Sequence, residues 1–176
     1  MWLGDRRTPF YSQERIGEGG KPFRTSKLRT MVPDAEAVLA RALDASPALR
    51  DEWETTFKLA RDPRITRVGA VLRRTSLDEL PQFLNVLRGD MSVVGPRPER
   101  PVLIEGFRHE IPGYMLRHKM KAGITGWAQV NGWRGNTSLR KRIEYDLYYI
   151  QNWSLAFDLR IMALTVFKGF VHENAH

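Results

Sequence analysis

The sequence contains no cysteine, which excludes disulfide scaffolding, thiolate zinc sites and thiol nucleophiles. Histidine is scarce, and His109, His118, His172 and His176 show no metal-ligand spacing. Serines are plentiful, but none sits in a nucleophile elbow. No stretch reaches the roughly 18 apolar residues that mark a membrane span. The nearest approach, LAFDLRIMALTVFKGFV from Leu155 to Val171, is interrupted by Asp158, Arg160 and Lys168. At the N-terminus, MWLGDRRTPF puts charge where a signal peptide has its apolar core. Internal repeats and low-complexity tracts are missing too.

What is present is 176 residues, enough for one domain over 1–176 to bury a core without staples. Lysine and arginine number 28 against 20 acids, a net charge of +8. Such an excess attracts anions: nucleic acid, nucleotide phosphates or an acidic membrane face. Charge alone does not choose among them.

The pattern predicts an α+β fold, mainly helical: an N-terminal β-hairpin, a compact helical domain and C-terminal amphipathic helices. Pro9 to Met31 holds two extended runs around Gly17, Gly19 and Gly20, read as a hairpin rather than a phosphate-cradling loop. Asp34 to Leu59 reads as two helices, with Asp34 and Ser46 as caps and Pro47 opening the second. Ile65, Val68, Val71 and Leu72 recur at helical spacing, and a further helix is expected from about Ser76 to Leu87. The prolines of GDMSVVGPRPERP predict a loop, and a short helix is expected over Val102 to Glu110. GITGWAQVNGWRGN, from Gly123 to Asn136, reads as a long functional loop rich in glycine with two tryptophans. Two amphipathic helices close the chain. On the last, Leu155, Leu159, Met162, Leu164, Val166 and Phe167 offer apolar surface to a membrane or to the core, while Arg160 and Lys168 suit anionic head groups.

Chemistry concentrates in TSLDELPQFLNVLRGDMSVVGPRPE. Ser76-Leu77-Asp78-Glu79 fits a capping box, in which Ser76 and Glu79 satisfy free backbone N–H groups. The same helix start would also keep a carboxylate ionised beside a phosphate, so one acid could attack phosphorus and the pair could share a hard cation. Transfer of a phosphoryl group needs cations around it, for which Arg73, Arg74 and Arg97 are candidates. Pro96 and Pro98 stiffen the backbone around Arg97, so its guanidinium loses less entropy on binding phosphate. Lys27 and Arg29 add a second cluster, and Arg117, His118, Lys119 and Lys121 a third, read as solvated surface.

These motifs resemble the bacterial sugar transferases, monotopic polyprenyl-phosphate hexose-1-phosphate transferases, from about Pro9 to the C-terminus. The resemblance implies a phosphoglycosyl transferase at the cytoplasmic face of the bacterial inner membrane, using magnesium. Its partners would be a UDP-sugar, undecaprenyl phosphate and an anionic membrane surface, with homo-oligomer formation left open and no nucleic acid. It makes Asp78 the nucleophile and Glu79 its partner, both beside the metal. It places Arg73 on phosphate and Arg97 at the nucleotide end, and matches Lys27 and Arg29 to a basic substrate-binding segment. Leu28 and Ser12 depart from the residues usual there. The family's preceding re-entrant helix is not in this sequence, so the expectation is a catalytic domain without that anchor. GYMLRHKMKAGITGWAQVNGWRGNTS resembles glucose-transferring members, and DEWETTFKLARDPRITRVG galactose-transferring ones; glucose is favoured. The rival reading, a helix-turn-helix over Thr66 to Leu87, would aim two carboxylates at DNA phosphates. A non-catalytic membrane-docking domain is the second rival.

Overall fold

The computed structural model describes residues 7–56, 59–101, 104, 106, 107, 111–134 and 137–169. The fold is α+β and mainly helical. Strand β1 (Phe10–Ile16) pairs antiparallel with β2 (Pro22–Leu28), from Phe10 opposite Leu28 to Ile16 opposite Pro22. A short 3-10 turn over Glu18–Gly20 joins them, as the glycines there allow. Helices α1 (Ala35–Ala45) and α2 (Pro47–Thr56) follow as expected; the Ser46 hydroxyl accepts from the Leu49 N–H, while Asp34 makes no side-chain cap.

Helix α3 (Arg67–Arg74) starts at Thr66, whose hydroxyl accepts the Gly69 N–H at 2.9 Å and donates to the Thr30 carbonyl. The continuous helix expected from Ser76 to Leu87 is broken in two. A 3-10 turn over Leu77–Glu79 comes first, and α4 (Gln82–Arg88) begins only after Pro81. Pro81 lacks the N–H that would bond the Leu77 carbonyl in an α-helix, so Leu80 donates to it instead, at 3.2 Å in 3-10 fashion. Gly89, with φ 84°, ends α4.

Two short strands lie inside segments read as loops. β3 (Ser92–Val94) and β4 (Gly123–Thr125) pair in parallel, and the tryptophan-rich stretch continues as α5 (Trp127–Val130). The backbones meet so closely that a Cβ on Gly123 would lie 2.1 Å from the Gly95 nitrogen. Only glycine fits there. Tyr114–Lys119 forms a 3-10 helix, and α6 (Leu139–Gln151) and α7 (Leu155–Gly169) complete the fold. The helix expected over Val102 to Glu110 falls largely outside the described residues.

One core cluster joins Val94, Val130, Tyr149 and Ile161; a second joins Ile104, Tyr114 and Ile143. Helix α7 is thus split between roles. Ile161 is fully buried and Met162 and Leu164 pack on the core, whereas Leu155, Leu159, Val166 and Phe167 are exposed. Of its basic residues, Lys168 is half-buried and donates to the Val130 carbonyl at 2.9 Å, while Arg160 is exposed and lies over Trp127. No helix among the described residues is long and apolar enough to cross a membrane.

Candidate active site

The hairpin is fastened to α4 by one side chain. Asn85, wholly buried, accepts from the Ser26 N–H at 3.1 Å and donates to the Arg24 carbonyl at 2.8 Å, acting as a short extra strand edge along β2. That clasp carries the neighbouring Lys27 over the turn that holds Asp78 and Glu79. Both carboxylates are buried, although they sit on a turn beside exposed apolar residues.

The two acids live in opposite surroundings. Glu79 Oε1 accepts from Lys27 at 2.7 Å and from Arg97 at 2.6 Å, and Arg97 also reaches Oε2 at 3.2 Å. Arg134 adds a third positive charge 3.5 Å from Oε1. Burial acts to raise the Glu79 carboxyl, but Arg97, Lys27 and Arg134 outweigh it and hold it well below the usual carboxylate range. Asp78 makes no hydrogen bond through its carboxylate to any described residue. Burial and the charge of Glu79 push its carboxyl up, against the pull of Lys27, Arg73 and Arg134. One acid anchors cations. The other stands uncommitted in their field.

The capping box is overturned. Ser76 has φ 55° and ψ 15° and caps nothing with its side chain, because the left-handed backbone turns its hydroxyl toward Arg134, which donates to it at 3.0 Å. Glu79 is correspondingly spent on Lys27 and Arg97 rather than on the backbone of Ser76.

Of the residues singled out by sequence, Asp78, Glu79, Lys27 and Arg97 therefore come together. Arg73 hydrogen-bonds through Nε to the Thr30 hydroxyl at 2.9 Å and acts on Asp78 through its charge. Arg29 donates through Nε to the Thr8 carbonyl at the base of the hairpin. Arg74 is exposed. Sequence reading missed Arg134, whose signal was an arginine between a tryptophan and a glycine in a segment already marked as functional. It missed Asn85 as well, a buried amide in the middle of a mainly apolar helix. Arg117 and His118, read as solvated surface, are both buried, because the 3-10 helix turns them under the hairpin. Burial and the charge of Arg117 keep the His118 imidazole below its ordinary pKa.

Among the described residues no group of three or more acidic or histidine side chains is placed to enclose a metal ion. Asp78 and Glu79 are nevertheless hard oxygen donors of the kind magnesium shares with substrate phosphates, and the Asp78 carboxylate is uncommitted.

Exposed apolar side chains lie on the two helices before and after this turn and on the turn's end: Val68 and Val71 on α3, Leu80 beside Pro81, and Phe83, Leu84 and Leu87 on α4. Arg67, Arg74 and Arg88 are exposed at the ends of these helices.

A carboxylate without a hydrogen-bond partner within a cluster of cations attracts anions. Residues 1–172 match the family described as "Bacterial sugar transferase", and the chain belongs to that family. It is 50% identical over 170 residues to a UDP-glucose:undecaprenyl-phosphate glucose-1-phosphate transferase of Escherichia coli (strain K12), covering 94% of this chain and 33% of that protein. It is 43% identical over 162 residues to a UDP-galactose-lipid carrier transferase of Erwinia amylovora, covering 92% and 33%. With the exopolysaccharide production protein ExoY of Sinorhizobium fredii it shares 44% identity over 164 residues, 93% of this chain and 71% of that one. The chain spans about a third of the length of the first two relatives.

Proposed function

We propose that this chain is a phosphoglycosyl transferase domain that moves a hexose-1-phosphate from a UDP-sugar to undecaprenyl phosphate, in exopolysaccharide or related glycoconjugate assembly. The observation that carries the reading is the division of labour between the adjacent acids. Glu79 pairs with Lys27 and Arg97 and holds them in place, leaving the cluster with net positive charge. Asp78, without a hydrogen-bond partner among the described residues, is left as the nucleophile.

A carboxylate oxygen of Asp78 attacks the sugar-bearing phosphorus. An O–P bond forms, the bond to the bridging oxygen breaks, and UMP leaves with that electron pair. An oxygen of undecaprenyl phosphate then attacks the same phosphorus, forming the lipid pyrophosphate and returning Asp78 as a carboxylate. A covalent intermediate divides one hard displacement into two. Arg97 and Lys27 are positioned to take up charge on the nucleotide phosphates, and Arg73 and Arg134 flank the attacking group.

Magnesium would be held by Asp78 and Glu79 together with substrate oxygens. When bound it would neutralise pyrophosphate charge. The lipid acceptor suits the exposed apolar side chains of α3 and α4, and the exposed arginines on the same helices suit anionic head groups at the cytoplasmic face of the inner membrane. Relatives named for glucose and for galactose are similar to this chain; glucose is the proposed donor, on the somewhat higher identity of the former.

The test is transfer of radiolabelled sugar phosphate from UDP-glucose and UDP-galactose to undecaprenyl phosphate, with and without magnesium. Label should enter the lipid fraction with UDP-glucose, and UMP should be the released nucleotide. Asp78→Asn, nearly the same shape without the attacking charge, should lose activity by orders of magnitude while staying folded. Near-normal turnover by a verified, undeamidated variant would remove Asp78 from this role.

A further inference from the structure

Arg97 sits in a segment held almost entirely by its carbonyls. Four in a row accept hydrogen bonds, each from a different donor: Pro96 from the Gly123 N–H at 2.9 Å, Arg97 from the Arg117 guanidinium at 2.9 Å, Pro98 from the Arg15 guanidinium at 3.2 Å, and Glu99 from the Ile16 N–H at 3.1 Å. Two of these residues are prolines and have no N–H to offer, so carbonyl anchoring is what fixes the path of the chain. The donor that reaches Arg97 itself is the one that costs most to place there.

Arg117 is fully buried, its side chain 1% exposed and that of its partner Asp146 3% exposed, with the two joined at 2.7 Å. Glu99 lies 3.7 Å from the other guanidinium nitrogen and is held in turn by Arg142 at 2.9 Å. Two nitrogens of Arg117, Nε and Nη1, find no hydrogen-bond partner among the described residues. A buried ion pair with unmet donors is a poor way to stabilise a core, since well-packed apolar residues of similar volume do as well or better. What the pair does accomplish is to fix the main chain of Arg97, the residue that grips both oxygens of Glu79.

We infer that Arg117, held by Asp146, is a positioning residue of the transfer reaction: through the Arg97 carbonyl it keeps the Arg97 guanidinium on Glu79 and beside Asp78. The inference rests on the phosphotransfer reading above. The effect belongs to preorganisation, in which a cation already aimed at developing charge needs no rearrangement when the reaction occurs. Arg117 touches no substrate in this scheme.

The experiment replaces the pair symmetrically in the full chain, with Arg117→Met and Asp146→Leu combined. The double variant should melt at or above the wild-type temperature, yet its kcat for transfer from UDP-glucose should fall by about tenfold or more with KM changed by less than about threefold. Adding Arg97→Lys should cost little further, because both changes remove the same placement. Should the double variant fail to fold, Arg117→Lys keeps a charge opposite Asp146 and should lose rate without losing melting temperature. A folded double variant with wild-type kcat, or losses that multiply with Arg97→Lys, would overturn the inference. Arginine side-chain NMR gives a readout independent of turnover: the Arg97 Nε–H signal should be sharp in the wild type and broadened in the variants. A wild type that transfers no sugar phosphate overturns the functional reading, and the Arg97 signal then decides separately whether the tether exists.

Discussion

Arg134 donates to the Ser76 hydroxyl at 3.0 Å, and Ser76 is the only non-glycine residue with positive φ among the described residues. A left-handed serine is strained by about 1–2 kcal/mol, and such strain persists only where the surroundings over-determine it. Here the strained residue opens the turn that presents Asp78. Arg134 thus binds the turn at both ends, through Ser76 and through its charge on Glu79.

The two residues should behave as one unit. Ser76→Gly removes the hydroxyl and relaxes the backbone, so it should leave the melting temperature unchanged or raise it while lowering turnover. Ser76→Ala keeps the strain without the anchor and should lower both. If Arg134 acts through Ser76, combining Arg134→Gln with Ser76→Ala should cost clearly less than the sum of the single effects. Full additivity in transfer assays would place Arg134 on the substrate instead.

Glu79→Gln separates cap from site. Glutamine serves as well as glutamate in a capping box, so a capping role predicts normal activity. The structure has Glu79 accepting from Lys27 and Arg97, so loss of its charge leaves two half-buried cations without their counter-charge. Removing one member of a fully buried pair typically costs about 3–5 kcal/mol, and the partial exposure of these cations makes the loss here smaller. Both activity and melting temperature should therefore fall. Unchanged melting temperature with full activity at saturating magnesium would contradict the observed network.

How far the sequence disclosed this site depends on the range of the interactions. Asp78, Glu79 and the rigid Arg97 lie within twenty residues, and their spacing carried the chemistry. Lys27 came from a separate motif, but the reason it reaches Glu79 did not, because Asn85 docks the hairpin through main-chain bonds that leave no compositional trace. Ser76 was misread because the capping-box pattern and a left-handed turn use the same residue types. β3 and β4 were missed because three-residue strands are too short to show alternation, and their pairing depends on a backbone approach at Gly95 and Gly123. Arg117 and His118 were lost in a basic run whose 3-10 period buries what an exposed loop would leave in water.

Asp146 gives a pH prediction with a definite sign. Burial pushes its carboxyl up to about 6 from an ordinary 3.8; Arg117 and Arg142 oppose this, and Glu99 adds to it. The folded state then takes up a proton more readily than the unfolded chain. Stability linked to this group rises as pH falls through about 6, and the gain is complete below the unfolded value. His118, whose pKa is lowered, works the other way, so the comparison must be with Asp146→Asn rather than across pH alone. Between about pH 7 and pH 5 the melting temperature of the wild type should rise relative to that of the Asn variant. A difference that is flat, or that moves toward the variant, would show that Arg117 dominates and that the carboxyl is depressed.

The proposed membrane engagement can be tested face by face. The exposed apolar residues of α7, Leu155, Leu159, Val166 and Phe167, have a single exposed basic companion on the same helix, Arg160, which lies over Trp127, since Lys168 bonds the Val130 carbonyl. Helices α3 and α4 have both components: Phe83 and Leu87, the latter 83% exposed, with Arg67, Arg74 and Arg88 exposed on the same two helices. Apolar insertion combined with basic contacts gives reversible, salt-sensitive binding to anionic bilayers. The chain should therefore sediment with vesicles containing phosphatidylglycerol at low salt and leave them at high salt. Phe83→Ser combined with Leu87→Ser should abolish that binding, whereas Leu155→Ser combined with Leu159→Ser should weaken it much less. The reverse ranking would move the docking face to α7, and a chain that stays in the supernatant at low salt would remove both faces from membrane contact.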